Sequence, residues 1–215
     1  MISAFIFDLD GVITDTANYH YLAWQQLADE IGVHFDREKN EALRGVSRRQ
    51  SLLILLNGHP ASEEDLLEWM DRKNRYYQEF LEDITPADLL PGVENLLTEL
   101  RQANIKAALA SASKNATEVV DRLQIRGMLD SISDGYSVEK PKPEPDLFLH
   151  AAASVGIQPA NCVVVEDAEA GVEAGIRAGM RTIGIGPVQR VGAANLVLEN
   201  GFEGVHLTAL LKALA

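Results

Sequence analysis

The sequence predicts an α/β protein: a mostly parallel sheet with helices on both faces, plus one inserted all-helical cap domain. Three observations lead there. Short apolar runs recur along the chain with helical patterns between them. One long stretch, residues 17–84, holds helical signals and no convincing strand. Polar, charged segments directly follow the apolar runs, where open α/β sheets bind their ligands.

The elements follow in order. The opening run MISAFIFDL is rich in Ile and Phe and reads as a buried strand. In the helical stretch, His20, Trp24, Leu27 and Ile31 are spaced four, three and four, so they line one face of a helix. Ser62 followed by Glu63, Glu64 and Asp65 is a helix start, with a capping hydroxyl and acids where the helix dipole favours them. Leu66, Leu67, Met70, Tyr77 and Leu81 continue that helix. Connections at 14–16 and 84–87 divide the chain into a core, residues 1–15 and 86–215, and a cap, residues 16–85. Beyond the cap, helices at 93–101, 116–123, 145–155 and 168–178 alternate with strands at 105–110, 162–165, 181–186 and 195–198. Strands joined through helices imply right-handed crossovers and a parallel sheet.

Composition narrows the function. Hydrophobic residues make up 47% of 215, enough for a substantial core. A net charge of −13 argues against tracking a phosphate backbone, which calls for a basic stripe. The lone cysteine, Cys162, cannot form an internal disulfide, and no apolar run approaches membrane length. The expectation is a cytoplasmic, monomeric protein with small-molecule substrates and neither nucleic-acid nor membrane partners.

Four segments carry chemistry. Asp8 and Asp10, after the first strand, are two apart and can converge on one site. Ser111-Ala112-Ser113-Lys114-Asn115 ends the second main strand with hydroxyls and a cation just before a helix, a setting that suits phosphate. Glu166 and Asp167 close the buried run Val163-Val164-Val165, where acids need a partner. In the segment Glu139-Lys140-Pro141-Lys142-Pro143-Glu144-Pro145, both Lys140 and Lys142 fit K-P-x-P. Lys142 is preferred because its motif runs directly into a helix, and Lys140 stays as the alternative. Each segment alone could be an ordinary loop. Together, carboxylates from two strand ends make an oxygen-rich site for Mg²⁺, with Ser111 and Lys142 on the phosphoryl oxygens.

This combination resembles the haloacid dehalogenase superfamily of phosphotransferases over the whole chain. The resemblance implies a Rossmann-like core with a helical cap. It also implies Asp8 as a nucleophile forming an aspartyl-phosphate, and Asp10 as general acid and base. Mg²⁺ would be held by the Asp8 side chain, the Asp10 backbone carbonyl, Glu166 and Asp167. Ser111, Ala112 and Lys142 would hold the phosphoryl group. The run from Asp8 to Thr16, Tyr19-His20, Ala23-Trp24, Arg44-Gly45-Val46-Ser47-Arg48, Arg72-Lys73-Asn74, Thr85-Pro86-Ala87-Asp88 and residues 110–115 are similar to the sugar-phosphate mutases of that superfamily. Arg44 stands where lysine is frequent among them. By that similarity Thr16, His20, Trp24, Arg44, Arg48, Lys73, Ser113, Lys114 and Asn115 surround the sugar phosphate. His20 would position Asp10, and Arg48 would take the phosphate far from the nucleophile. On the residues alone, Trp24 reads as packing and the arginines as a solvated face. The implied activity interconverts β-glucose 1-phosphate and glucose 6-phosphate through a bisphosphate. A phosphatase using the same core residues is the alternative, and a non-catalytic regulator is disfavoured because Asp8 is present.

Overall fold

β1 (Ala4–Phe7), β2 (Lys106–Ala110), β3 (Ser131–Ser133), β4 (Cys162–Glu166), β5 (Arg181–Ile185) and β6 (Leu196–Leu198) form one parallel sheet ordered β3-β2-β1-β4-β5-β6 in the computed structural model, which describes residues 1–215. The chain winds outward from β1 to β3, then returns to the other side of β1 for β4. Strand order therefore reverses between β1 and β4, and the loops leaving their carboxyl ends diverge there to open a crevice. Register pairs Phe7 with Leu109 and with Val165, so Asp8 lies level with Ala110 and Glu166.

The strands are apolar on both faces because both faces are covered. Alternation sends Phe5, Phe7, Leu109 and Val165 to one layer with α5 (Val93–Gln102), α6 (Ala116–Arg122) and α10 (Leu207–Ala213). Ala4, Ile6, Ala108 and Val164 face the opposite layer, packed on α7 (Asp146–Ser154) and α8 (Glu169–Arg177). A four-residue helix, α9 (Val188–Val191), joins β5 to β6.

The long stretch between β1 and α5 is helical throughout: α1 (Ala17–Ile31), α2 (Arg37–Glu41), α3 (Arg48–Leu56) and α4 (Glu63–Leu81). It has its own apolar cluster, built from Trp24, Leu27, Phe35, Leu43, Leu52, Leu55, Leu56 and Leu66. Ala23, Tyr77 and Leu81 join the main core instead. Ser62 caps α4 reciprocally with Asp65. The two connections to this insert run side by side. The Leu90 amide donates to Ile13 O at 2.9 Å, Thr14 Oγ1 donates to Asp88 O at 2.7 Å, and Thr14 and Leu89 form an isolated antiparallel bridge. No helix is long and apolar enough to cross a membrane.

Three local expectations change. The first strand stops at Phe7, well short of the nine-residue run, because the chain turns away at Asp8. The strand Ser131–Ser133 is absent from the sequence reading because Ser-Ile-Ser carries no apolar run, and pairing to β2 supplies what its composition lacks. Leu67 continues α4 as expected but faces solvent at 53% exposure.

Leu27 is fully buried in the insert's cluster. Leu27→Ala should lower stability by about 2–5 kcal/mol through lost transfer energy and a residual cavity. Both tryptophans, Trp24 and Trp69, lie in the insert, so urea unfolding followed by their fluorescence reads that loss directly. A loss below about 1 kcal/mol would mean that the insert collapses into the gap.

Candidate active site

The crevice between β1 and β4 is floored by carboxylates. Asp8 leaves β1 while its amide still donates to Val165 O at 2.9 Å, so its side chain sits against the end of β4. Glu166 and Asp167 come from that end, and ligand atoms of Asp8, Glu166 and Asp167 lie within 4.8 Å of one another. Gly171, in the first turns of α8, lies so close that a Cβ there would overlap the Glu166 carboxylate. Gly11, at φ +78°, both turns the chain and clears Asp167.

Lys142 reaches the floor from the segment before α7, and its side chain is wholly buried. Its Nζ donates to Glu166 Oε1 at 2.5 Å, Asp8 Oδ1 at 2.6 Å and Ala110 O at 3.0 Å, which uses all three ammonium donors. Burial works against this charge, yet Asp8 and Glu166 outweigh it and hold the lysine above its ordinary pKa. Lys140, the alternative in the sequence, is exposed. Asp167 is pushed up to about 7 by burial and by Asp8, against the opposing pull of Arg44 and Arg190. An all-oxygen cluster of three buried acids suits a hard metal cation.

Asp10 shares the cavity with Asp8, but its carboxylate stands outside the three-acid cluster. Its carboxylate accepts from the Thr16 hydroxyl and faces His20 Nε2 at 3.8 Å, while the acid cluster forms without it. The strand has ended and Gly11 turns the chain, so the two-residue spacing no longer sets a common face. Burial and the Asp8 charge push Asp10 up to about 7.

The roof of the crevice is cationic and comes from the insert. Lys73, buried in α4, donates to His20 Nδ1 at 2.8 Å and lies 5.0 Å from the Trp24 ring centroid and 4.6 Å from that of Tyr77. Tyr77 stacks on His20 with centroids 4.0 Å apart. Burial, then Lys73 and Arg48, hold His20 well below its usual pKa. A neutral ring that accepts at Nδ1 carries its proton on Nε2, the nitrogen facing Asp10. Arg48 opens α3 and donates to Asn74 Oδ1 at 2.8 Å. Arg44 bonds Glu41 at 2.9 Å and reaches across to Asp167 at 3.2 Å.

Asp8, Asp10, His20, Trp24, Arg44, Arg48, Lys73, Ala112, Ser113, Lys114 and Asp167 line one cavity between floor and roof. Ser111 is buried at its edge, where its Oγ accepts from the Ser113 amide at 3.1 Å. Ser113 Oγ in turn accepts from the Asn115 amide at 3.2 Å. Trp24, 3% exposed, is a wall and a cation–π face for Lys73. Ser51, Glu41 and Arg190 escaped the sequence reading. Ser51 lines the cavity one helical turn after Arg48, so i+3 spacing on α3 was its signal. Arg190 donates from Nε to Asp167 O at 2.6 Å and approaches Glu41 at 3.6 Å, but nothing in its four-residue helix announces this.

His20 generates a pH prediction. Held neutral in the fold, it takes up a proton less readily there than in the unfolded chain, whose histidine titrates near 6.5. Its contribution is therefore present above pH ~6.5 and is lost as pH falls below it, by at most about 1.4 kcal/mol per pH unit. Urea unfolding of His20→Gln should show a shallower loss of stability between pH 7 and 5 than the parent. Parallel profiles would mean that His20 takes up its proton equally readily in the folded and unfolded chains.

Residues 2–179 match the model of the family described as haloacid dehalogenase-like hydrolase. A β-phosphoglucomutase of Bacillus subtilis (strain 168) is 46% identical over 202 residues, covering 92% of this chain and 89% of the relative. A phosphorylated carbohydrates phosphatase of Thermotoga maritima is 30% identical, covering 93% and 92%. The crystal structure of β-phosphoglucomutase from Clostridium difficile superposes with a TM-score of 0.95 at 41% identity, covering 99% of this chain and 97% of that one. With the strand order, the buried acids and lysine at its reversal, and a sequence match over most of the length, the chain belongs to the haloacid dehalogenase-like hydrolase family.

Proposed function

We propose that this enzyme is a β-phosphoglucomutase that interconverts β-glucose 1-phosphate and glucose 6-phosphate through β-glucose 1,6-bisphosphate. The observation that carries the reading is the charge arrangement of one cavity. Asp8, Asp10 and Asp167 lie at its floor, with Lys142 bonded behind Asp8, while Arg48 and Lys73 lie in its roof without a carboxylate bonded to either. Lys73 is buried and Arg48 half-buried, and burial pulls both below their ordinary pKa values, so an anion between them would favour their charged forms. A sugar bisphosphate brings one phosphate to each end.

In this reading the insert, residues 16–85, is a cap over a core of residues 1–15 and 86–215. Asp8 is the nucleophile. Its carboxylate oxygen bonds to phosphorus, the bond from phosphorus to the sugar oxygen breaks, and Asp10 protonates the departing oxygen. In the reverse transfer a sugar hydroxyl attacks the aspartyl-phosphate and gives its proton to Asp10. A carboxyl near pKa 7 suits both directions at neutral pH. Lys142 spreads its charge over the transferring oxygens, with Ser111 and the Ala112 amide beside it. Thr16 and His20 hold Asp10 in place, and Trp24 and Lys73 close the sugar pocket. Arg48, with Ser113, Lys114 and Asn115, takes the far phosphate, while Arg44 closes the mouth against Asp167. The cap keeps water from the aspartyl-phosphate. The acid cluster fits Mg²⁺, which Asp8, Glu166, Asp167 and the Asp10 carbonyl would hold, and when bound it neutralises phosphoryl charge. A single cysteine, buried and unable to form an internal disulfide, supports a cytoplasmic setting.

Incubation of β-glucose 1-phosphate with Mg²⁺ and a trace of the bisphosphate should yield glucose 6-phosphate. Glucose and free phosphate as the main products would make the enzyme a phosphatase on the same site. Purified Asp8→Asn should lose both mutase and phosphatase turnover while keeping its circular dichroism spectrum. Substantial turnover by that variant would remove the covalent route.

A further inference from the structure

Arg44, Arg49 and Arg72 each pair with a carboxylate, whereas Arg48, more than half buried, has a neutral partner. That partner, Asn74 Oδ1 on α4, accepts from Arg48 Nη2 at 2.8 Å and from Asn115 Nδ2 at 2.9 Å. Asn115 belongs to the core loop that opens α6, and Arg48 to the insert. One amide oxygen thus ties the two sides of the cavity together, with both of its lone pairs in use.

We propose that Asn74 is a specificity-determining positioning residue: its uncharged oxygen aligns Arg48 and Asn115 across the cleft while leaving the guanidinium charge for a substrate phosphate. The inference rests on the reading of Arg48 as the far phosphate's anchor. Neutrality is the property that matters at this point. An aspartate at this point has the same shape, keeps the acceptor oxygen and bonds arginine more strongly. It also compensates the charge of Arg48 and sets a fixed negative charge beside an incoming dianion. An alanine does the opposite, since it cuts the tie and leaves the charge.

The two substitutions therefore separate a structural tie from charge selection. If Asn74 only held the fold, Asn74→Ala would be the worse variant and Asn74→Asp close to the parent. The proposal requires the reverse order for substrate recognition. Asn74→Asp should raise KM for β-glucose 1-phosphate about tenfold or more, the scale of one charge-assisted bond, and Asn74→Ala should raise it less. The rise for Asn74→Asp should exceed any change in hydrolysis of acetyl phosphate, which has no second phosphate-binding end. Its thermal midpoint should be no lower than that of Asn74→Ala. A parent-like KM for Asn74→Asp, or a larger KM rise for Asn74→Ala, overturns the proposal. Arg48→Ala, measured alongside, separates the two layers of the argument. If it raises KM for the sugar phosphate and Asn74→Asp does not, the role of Asn74 alone is refuted; if Arg48→Ala leaves KM unchanged, the far-phosphate reading fails as well.

Discussion

The ammonium of Lys142, sealed between Asp8 and Glu166, is the contact on which the site depends. Three charges are buried together, and such a group is tolerated only when each member is paired and hydrogen-bonded. Lys142 meets that condition with two carboxylates and a backbone carbonyl. It thereby ties the end of β1, the end of β4, the last residue of β2 and the segment before α7. Removal of one partner leaves an uncompensated buried charge, a loss of about 3–5 kcal/mol in comparable cases. Arrangement of the chemical floor and closure of the sheet's upper edge are thus one event.

The opposite charges of floor and roof have separate origins. Acids arise where strand order reverses, because there the backbone stops pairing and side chains can face a shared space. Cations arise on helices whose other faces pack on leucines and aromatics. Neither half is balanced within itself. Arg44 and Arg190 partly bridge them by sharing Asp167 and Glu41. In the proposed reaction a doubly phosphorylated sugar and a divalent cation complete the balance, so substrate binding and charge compensation coincide.

Much of this was legible in the sequence, for a physical reason. A buried strand is an apolar run, its end is marked by the first polar residue, and ligands gather at such ends. Asp8, Ser111, Glu166 and Asp167 all carry that mark, and the helical insert announced itself by the absence of strand signals. What stayed hidden depends on direction or on distant partners. Asp10 follows a strand that has already ended, so alternation could not say where its carboxylate turns. Arg190 acts through a four-residue helix too short to show a period. Ser131–Ser133 is a strand because β2 pairs with it, and its own composition does not say so.

The paired connections at Ile13–Leu90 and Thr14–Leu89 have a consequence for how such a protein can diversify. Where a long excursion leaves and re-enters at neighbouring points already tied by hydrogen bonds, the chain-closure entropy of the excursion is nearly independent of its contents. Each doubling of a flexible loop adds only about 0.6 kcal/mol. A different set of helices can therefore be grafted between those two points without shifting the register of β1 against β2 and β4. In the proposed reaction, the half that would perform phosphoryl chemistry is held fixed by the sheet, while the half that would recognise the sugar phosphate is a replaceable module.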